Sequence, residues 1–250
     1  MFGPDGMVLQ PSEALYKKNA LVLSGRFRPY TIVHQDMLRR ATEMFLHEPD
    51  VDPDRTIIIS ELSLNALIDA NGDIVDEDFL HRANILCSLG HTVMITHFLD
   101  YWYLMPYLTR MNRGRQIGFI LSMRNLERIF DEGQYPGLTG GLLDVMGMLF
   151  GTHVQAYAYP ALRKQTGEII RLSQLNIRKN QIPLLQYLIE NRKIREIPEA
   201  DKSLLEIDAD HLLNKIQQNK EGWEKLVPEE TVPLIRDQGL FGFPGQGNKG

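Results

Sequence analysis

With one cysteine, Cys87, in 250 residues, the chain can form no internal disulfide, and a reducing, cytoplasmic setting is the default. Long apolar runs are missing too. The nearest, GGLLDVMGMLFG (140–151), falls short of the roughly 18 residues a membrane span needs and carries Asp144, so no membrane partner is expected. Positive charge is not in excess: 27 Lys and Arg stand against 32 Asp and Glu, a net charge of −5. A protein that lives on bulk DNA or RNA is usually basic, so nucleic acid is not an expected partner, whereas a small nucleotide needs only a few local cations. The opening MFGPDGMVLQ has neither the basic start nor the apolar core of a signal peptide. There is no internal repeat, no His-Glu-x-x-His pair and no Gly-x-Ser-x-Gly elbow. His91 and His97 bracket an apolar run that would hold them about 20 Å apart as a strand, too far to share an ion. Spacing therefore predicts no metal-ligating set.

What the sequence carries is a rhythm. The apolar runs ALVLS (20–24), TIIIS (56–60), TVMIT (92–96), IGFILS (117–122) and VQAYAY (154–159) alternate with helical patterns. Four of them are almost continuously apolar, as strands covered on both faces are. HQDMLRRATEMFLH (34–47) puts Met37, Leu38, Ala41, Met44 and Phe45 on one helix face. DEDFLHRANILCSLG (76–90) does the same with Phe79, Leu80, Ala83, Leu86 and Cys87, which makes Cys87 a core residue rather than a nucleophile. The alternation predicts right-handed βαβ units in an α/β fold: a doubly wound, mostly parallel, five-stranded Rossmann-like sheet over residues 1–165. IPLLQYLIENRKI (182–194), DADHLLNKIQQN (208–219) and EETVPLIRDQGLF (229–241) predict a helical C-terminal region over 166–240, packed on the sheet. Residues 241–250 read as a flexible tail, and LIDANGDIV (67–75) as a hairpin around Asn71 and Gly72.

The five runs end in Ser24-Gly25-Arg26, Ser60-Glu61, Thr96-His97, Ser122-Met123-Arg124 and Tyr159-Pro160. Open parallel sheets bind ligands outside the carboxyl ends of their strands. That edge, with its hydroxyls, two arginines, a histidine and a glutamate, is the candidate site.

The first of these ends runs into SGRFRPYTIVH (24–34), spaced Gly-Arg-Phe-x-Pro-x-Thr-x-x-His. A glycine there lets backbone approach a nucleotide closely, and a helix starting near His34 offers free N–H groups to phosphate oxygens. The stretch resembles the nucleotidylyltransferase superfamily marked by (His/Thr)-x-Gly-His after the first strand. Its Gly-Arg-Phe-x-Pro opening is similar to that of the nicotinamide- and nicotinate-mononucleotide adenylyltransferases. The resemblance puts Thr31 at the first motif position and His34 at the last. It implies adenylyl transfer from ATP, with Mg²⁺ carried by the substrate phosphates, to a phosphorylated small molecule such as nicotinate or nicotinamide mononucleotide. Such a transfer needs no covalent enzyme intermediate. It needs an α-phosphate held in line with its attacker and charge stabilisation on the phosphate oxygens. By the resemblance His34 would donate to the transferring phosphate, Thr31 and Gly25 would shape its loop, and Ser24, Arg26 and Phe27 would complete the nucleotide site. Val33 stands where the family has glycine, and would narrow or close the pocket if that glycine leaves room for adenine or ribose.

The family's second motif, Ser-Ser-Thr-x-Ile-Arg, resembles RLSQLNIR (171–178). Ser173, Ile177 and Arg178 match; Gln174 and Leu175 replace the other Ser and the Thr. The resemblance implies that Arg178 clamps the polyphosphate with Ser173 assisting. ILSMR (120–124) is a rival candidate and offers Arg124.

Two further readings stay open. The fold could serve as a non-catalytic nucleotide-binding or interaction module, with Val33 marking lost chemistry, and a homo-oligomer is open as a partner beside a small-molecule nucleotide. Asp-Ala-Asn-Gly (69–72) is similar to the Asp-x-Asp-Gly loop of haloacid-dehalogenase-like phosphatases. There Asp69 would be the nucleophile and Thr96 the phosphate-binding hydroxyl, although Asn71 replaces the second Asp and a turn also explains the stretch. LDYWYLMPYLTRMNRGR (99–115) reads either as a base-binding segment or as a buried helix interrupted at Pro106, with Asp100 as its cap.

Overall fold

The computed structural model describes all residues except 64–75, 99, 164–165, 199 and 245–250. Five strands coincide with the five apolar runs: β1 (Asn19–Ser24), β2 (Thr56–Ser63), β3 (Thr92–Thr96), β4 (Ile117–Ser122) and β5 (Val154–Tyr159). A small antiparallel pair, β6 (Ala161–Leu162) with β7 (Ile169–Ile170), stands apart, and β8 (Ile194–Glu196) joins the main sheet. That sheet is parallel and six-stranded, in the order β3-β2-β1-β4-β5-β8. The doubly wound α/β sheet is as the alternation predicts, with one strand more. β8 is too short to show a period of two, and its first residue, Ile194, falls within the stretch 182–194 read as helical. The strand order reverses between β1 and β4, and the crevice at their carboxyl ends is where such sheets hold ligands.

The helices are α1 (Pro11–Ala14), α2 (Ile32–Leu46), α3 (Asp76–Ser88), α4 (Tyr101–Met111), α5 (Met123–Phe130), α6 (Leu142–Leu149), α7 (Ile182–Glu190), α8 (Lys202–Leu205), α9 (Ala209–Gln217) and α10 (Thr231–Asp237). Side-chain alternation divides β1 between two cores. Ala20 and Val22 join Trp102, Leu126 and Val145 of α4, α5 and α6, while Leu21 and Leu23 join Phe45 of α2 and Leu86 of α3. Both faces are thus covered, which is why the strands are continuously apolar. Gly118 in β4 shows how close the layers lie: a Cβ there would stand 2.7 Å from Leu21 Cδ1, 2.9 Å from Tyr157 Cε2 and 3.0 Å from Phe45 Cδ2.

In α2, Met37, Ala41 and Phe45 are buried as their period predicts. In α3, Ala83, Leu86 and Cys87 are buried, but Leu80 is exposed and Ile85, off the predicted face, is buried instead. The reason is a third core, in which Ile85 meets Leu212, Ile216, Trp223 and Ile235 of the C-terminal segment. The stretch 166–240 carries α7 to α10 and also gives the sheet its sixth strand. Phe241 is buried in the third core, so the predicted tail begins inside packed structure; its residues 245–250 lie outside the described ones. Among the described residues no helix is long and apolar enough to cross a membrane.

Candidate functional site

After β1 the chain turns through Gly25, Arg26 and Phe27 and enters α2 behind Thr31, its N-cap. The Gly25 N–H donates to the Glu61 carbonyl at 3.1 Å and carries the β1–β2 ladder past the strand end. Phe27 has a positive φ of 44° and folds its ring back over the glycine, where a Cβ would stand 2.9 Å from Phe27 Cε1. His34 sits against two rings: Tyr30 is stacked on it and Phe27 is edge-on, each with a centroid separation of 5.3 Å. Thr31 and His34 form a capping box in which His34 Nδ1 accepts the Thr31 N–H at 3.0 Å and lies 2.8 Å from Thr31 Oγ1. A backbone N–H only donates, so Nδ1 keeps its lone pair and the ring proton is assigned to Nε2. Burial pushes the His34 pKa down to about 4, which keeps the ring neutral at pH 7. His91 is its companion across Tyr30. It stands edge-on to that ring at 5.1 Å, Ser60 Oγ lies 2.6 Å from its Nδ1, and burial pushes its pKa down to about 4.

A cavity of about 620 Å³ opens at the carboxyl edge beside this turn. Glu61 of β2 reaches into it and is only 2% exposed. Parallel pairing sets Glu61 beside Ser24, whose hydroxyl donates to Oε2, while the Thr96 hydroxyl at the end of β3 donates to Oε1. Burial raises the Glu61 carboxyl above the usual carboxylate range, and the two hydroxyls offset part of that rise. Phe98, Tyr101 and Trp102 also line the cavity, and Ser63 Oγ donates to the Phe98 carbonyl at 2.7 Å. The Tyr101 pKa is pushed up to about 12, first by burial and then by the charge of Glu61. The buried Trp102 indole N–H has no hydrogen-bond partner among the described residues. From α5 come Asn125, which donates to Tyr101 Oη at 3.3 Å, and Arg128. Burial also raises the Asp100 carboxyl, with the Arg128 charge opposing.

Arg128 lines a second cavity as well, of about 640 Å³, with Arg124 of its own helix and with Asn176 and Arg178. There Arg178 pairs with Glu132, Arg124 donates to the Leu162 carbonyl, and the Asn176 N–H donates to Glu127 at 2.7 Å. Arg128 forms no ion pair among the described residues.

The structure thus gathers Ser24, Gly25 and Arg26 at the first cavity and Arg124 and Arg178 at the second. Phe27, Thr31 and His34 form the turn beside them and line neither. Ser173 is exposed in the short 3₁₀ turn Leu172–Gln174 and lines neither cavity. Val33 also lines neither and packs, partly buried, against the second core. At the mouth of the first cavity Arg26 pairs with Asp210 of α9 at 3.4 Å, and its carbonyl accepts from Arg82 Nη1 at 3.0 Å. Thr96 is engaged by Glu61, while Asp69 and the 67–75 turn lie outside the described residues. Sequence reasoning missed Asn125 and Arg128. Their signal is a spacing of three in a helix that starts directly at a strand end, which aims both at the strand's carboxyl edge. Among the described residues no group of three His, Cys, Asp or Glu could hold a metal ion.

The nicotinic acid mononucleotide adenylyltransferase of Plasmodium falciparum complexed with APC matches this architecture with a TM-score of 0.55 at 13% identity, over 90% of this chain and 98% of that one. The fold is shared. The same Plasmodium protein complexed with NaAD gives a TM-score of 0.55 at 14% identity over the same shares. No protein-family model matches the chain, and no curated protein does.

Proposed function

We propose that the protein transfers the adenylyl group of ATP to a phosphorylated small molecule such as nicotinate or nicotinamide mononucleotide. The observation that carries this reading is Arg128: one arginine, in no ion pair among the described residues, lines two cavities at the edge where the strand order reverses. A two-substrate transfer needs two pockets that meet at a cation. In the reaction an acceptor phosphate oxygen attacks the α-phosphorus of ATP, and the new P–O bond forms as the bond to pyrophosphate breaks. The acceptor occupies the first cavity and the polyphosphate the second, under Arg124 and Arg178. Arg128 stands between them, where charge gathers on the transferring oxygens. Mg²⁺ enters on the nucleotide. The fold shared with adenylyltransferases supports the reading, and the single Cys87 suits a cytoplasmic setting. The test is pyrophosphate release from ATP and Mg²⁺ with each mononucleotide. Release by the wild type that is lost in Arg128→Ala supports the reading; no release with either acceptor overturns it.

A second reading, nucleotide binding without transfer, is favoured by one observation: His34 and Thr31 line neither cavity. Heat of ATP binding in a calorimetric titration, with no pyrophosphate released, would establish it.

A further inference from the structure

The first cavity lies between two stretches of chain. Gly25 and Arg26 belong to the turn after β1, and Phe98, Asp100 and Tyr101 follow β3. β2 runs between those two strands, and Glu61 near its end reaches both. The Glu61 carbonyl accepts the Gly25 N–H at 3.1 Å, its Oε2 accepts the Ser24 hydroxyl, and its Oε1 accepts the Thr96 hydroxyl. Thr96 Oγ1 in turn accepts the Phe98 N–H at 3.3 Å. One side chain, 2% exposed, thus joins both walls of the cavity. A carboxylate suits this place because it only accepts, one hydroxyl proton on each oxygen. A protonated carboxyl or an amide of the same shape turns a donor toward one side, and one hydroxyl proton loses its acceptor. Thr96 is buried and Ser24 only partly so, which makes the Ser24 side the one that opens.

We propose that Glu61 is a positioning residue: its carboxylate holds the turn after β1 against the chain after β3, and a proton taken up by Glu61 releases that hold and lowers turnover. The effect on turnover rests on the adenylyl-transfer reading; the clasp itself does not. Burial raises the Glu61 carboxyl above the usual carboxylate range, and the Ser24 and Thr96 hydroxyls lower it again, so each hydroxyl sets where release occurs. The clasp is complete above that raised value and is lost as the pH falls through it. Around Glu61 stand Arg26 of the turn, His97 next to Thr96, Asp100, Tyr101 of α4, and Arg128 of α5, whose charge acts on Asp100. Burial raises Asp100 too, and His34 of α2 titrates lower. All of these groups are kept in Glu61→Gln, so the difference between the two proteins isolates Glu61.

The test uses the full chain. Pyrophosphate release from ATP and Mg²⁺ with each mononucleotide is followed from about pH 8 to about pH 5 in the wild type, Glu61→Gln and Ser24→Ala. The Gly25 and Phe98 amides are followed by NMR over the same range without ligand. Glu61→Gln stands in for the protonated carboxyl. Its kcat/KM is expected to lie about tenfold below the wild type at the upper end, with the two converging at the lower end. Ser24→Ala removes a hydroxyl that favours the carboxylate and should move the acid limb up by about one pH unit. The two amides should shift with that same midpoint in the wild type and not in Glu61→Gln. Parallel pH profiles, which a merely structural carboxyl would give, overturn the inference. So does an unmoved midpoint in Ser24→Ala, or amides that titrate alike with and without Glu61. If Glu61→Gln does not fold, the amide midpoints of the wild type and Ser24→Ala decide. Amide titration lost in Glu61→Gln with no pyrophosphate from either acceptor would overturn the transfer reading and leave the clasp supported.

Discussion

Acid should destabilise this protein through His34. The imidazole Nδ1 accepts the Thr31 N–H at 3.0 Å, so a proton on that nitrogen meets a donor and opens the capping box. Burial pushes the folded pKa down to about 4 from an ordinary 6.5. For a base depressed in the folded state, the unfolded chain binds more protons between those values. Stability is therefore full above about pH 6.5 and is lost as the pH falls toward about 4. At pH 4.5 the linkage would amount to about 2.5 kcal/mol for a fully buried ring. His34 is only partly buried, which discounts the loss to about 1–2 kcal/mol. His91 has the same direction and lies against the same Tyr30 ring, so it adds a loss of its own. The informative variant is His34→Gln, because glutamine at the third helical position can still accept the cap N–H but does not titrate. Urea unfolding of both proteins at pH 7.0, 5.5 and 4.5 separates the effect, since every other titrating group cancels in the difference. The variant should match the wild type at pH 7 and retain about 1–2 kcal/mol more at pH 4.5. Parallel losses in the two proteins, or an NMR titration of the His34 ring near its ordinary pKa, would refute the reasoning.

Three further outcomes follow from the geometry. Gly25→Ala places a methyl 2.9 Å from Phe27 Cε1, and because that ring is buried against Tyr30 and His34 the overpacking should cost about 1–3 kcal/mol in urea unfolding. An unchanged midpoint would mean that the ring is not held. Gly118→Ala meets three core side chains at 2.7–3.0 Å and should cost a similar amount, about 1–3 kcal/mol; a thermal midpoint equal to the wild type would contradict the close packing of α2 on β4. Arg178→Ala breaks a largely exposed pair with Glu132, so stability should change by less than about 1 kcal/mol while ATP affinity falls; affinity kept at the wild-type level would remove Arg178 from the polyphosphate site.

The strands were legible because each is covered on both faces and so keeps an unbroken apolar run; β8 was not, because three edge residues carry no period. The spacing of Thr31 and His34 was legible as a motif, but its use as a capping box was not, since imidazole can serve as donor or acceptor at that position. A motif offset implies one face only in regular structure, whereas Ser173 lies in one 3₁₀ turn, Arg178 caps the next, and only Arg178 lines the second cavity. Glu61 was visible as a polar residue at a strand end. Its clasp by Ser24 and Thr96 depends on β1 pairing with β2 and β2 with β3, which is not local information.

The same non-locality explains why no contiguous stretch holds the whole candidate site. β1 lies between β2 and β4, and the chain leaves β1 for α2, whose apolar side joins one core, but leaves β4 for α5, whose Met123, Leu126, Ile129 and Phe130 join the other. The two helix starts therefore rise on opposite faces of one crevice. No loop separates β4 from α5: Ser122 ends the strand and caps the helix, its Oγ accepting from Asn125 N–H at 3.2 Å. With a rise of about 1.5 Å per residue, Arg128 stands about 9 Å along α5 from that cap, and the spacing of four from Arg124 keeps both arginines on one side. The buried positions of α5 leave 124, 125, 127 and 128 to face the cavities, and three of those four are Arg or Asn. The starts of α2 and α5 therefore stand on opposite faces of the sheet for a topological reason, and a ligand held at the crevice would be reached from both helices only because the strand order turns back at β1.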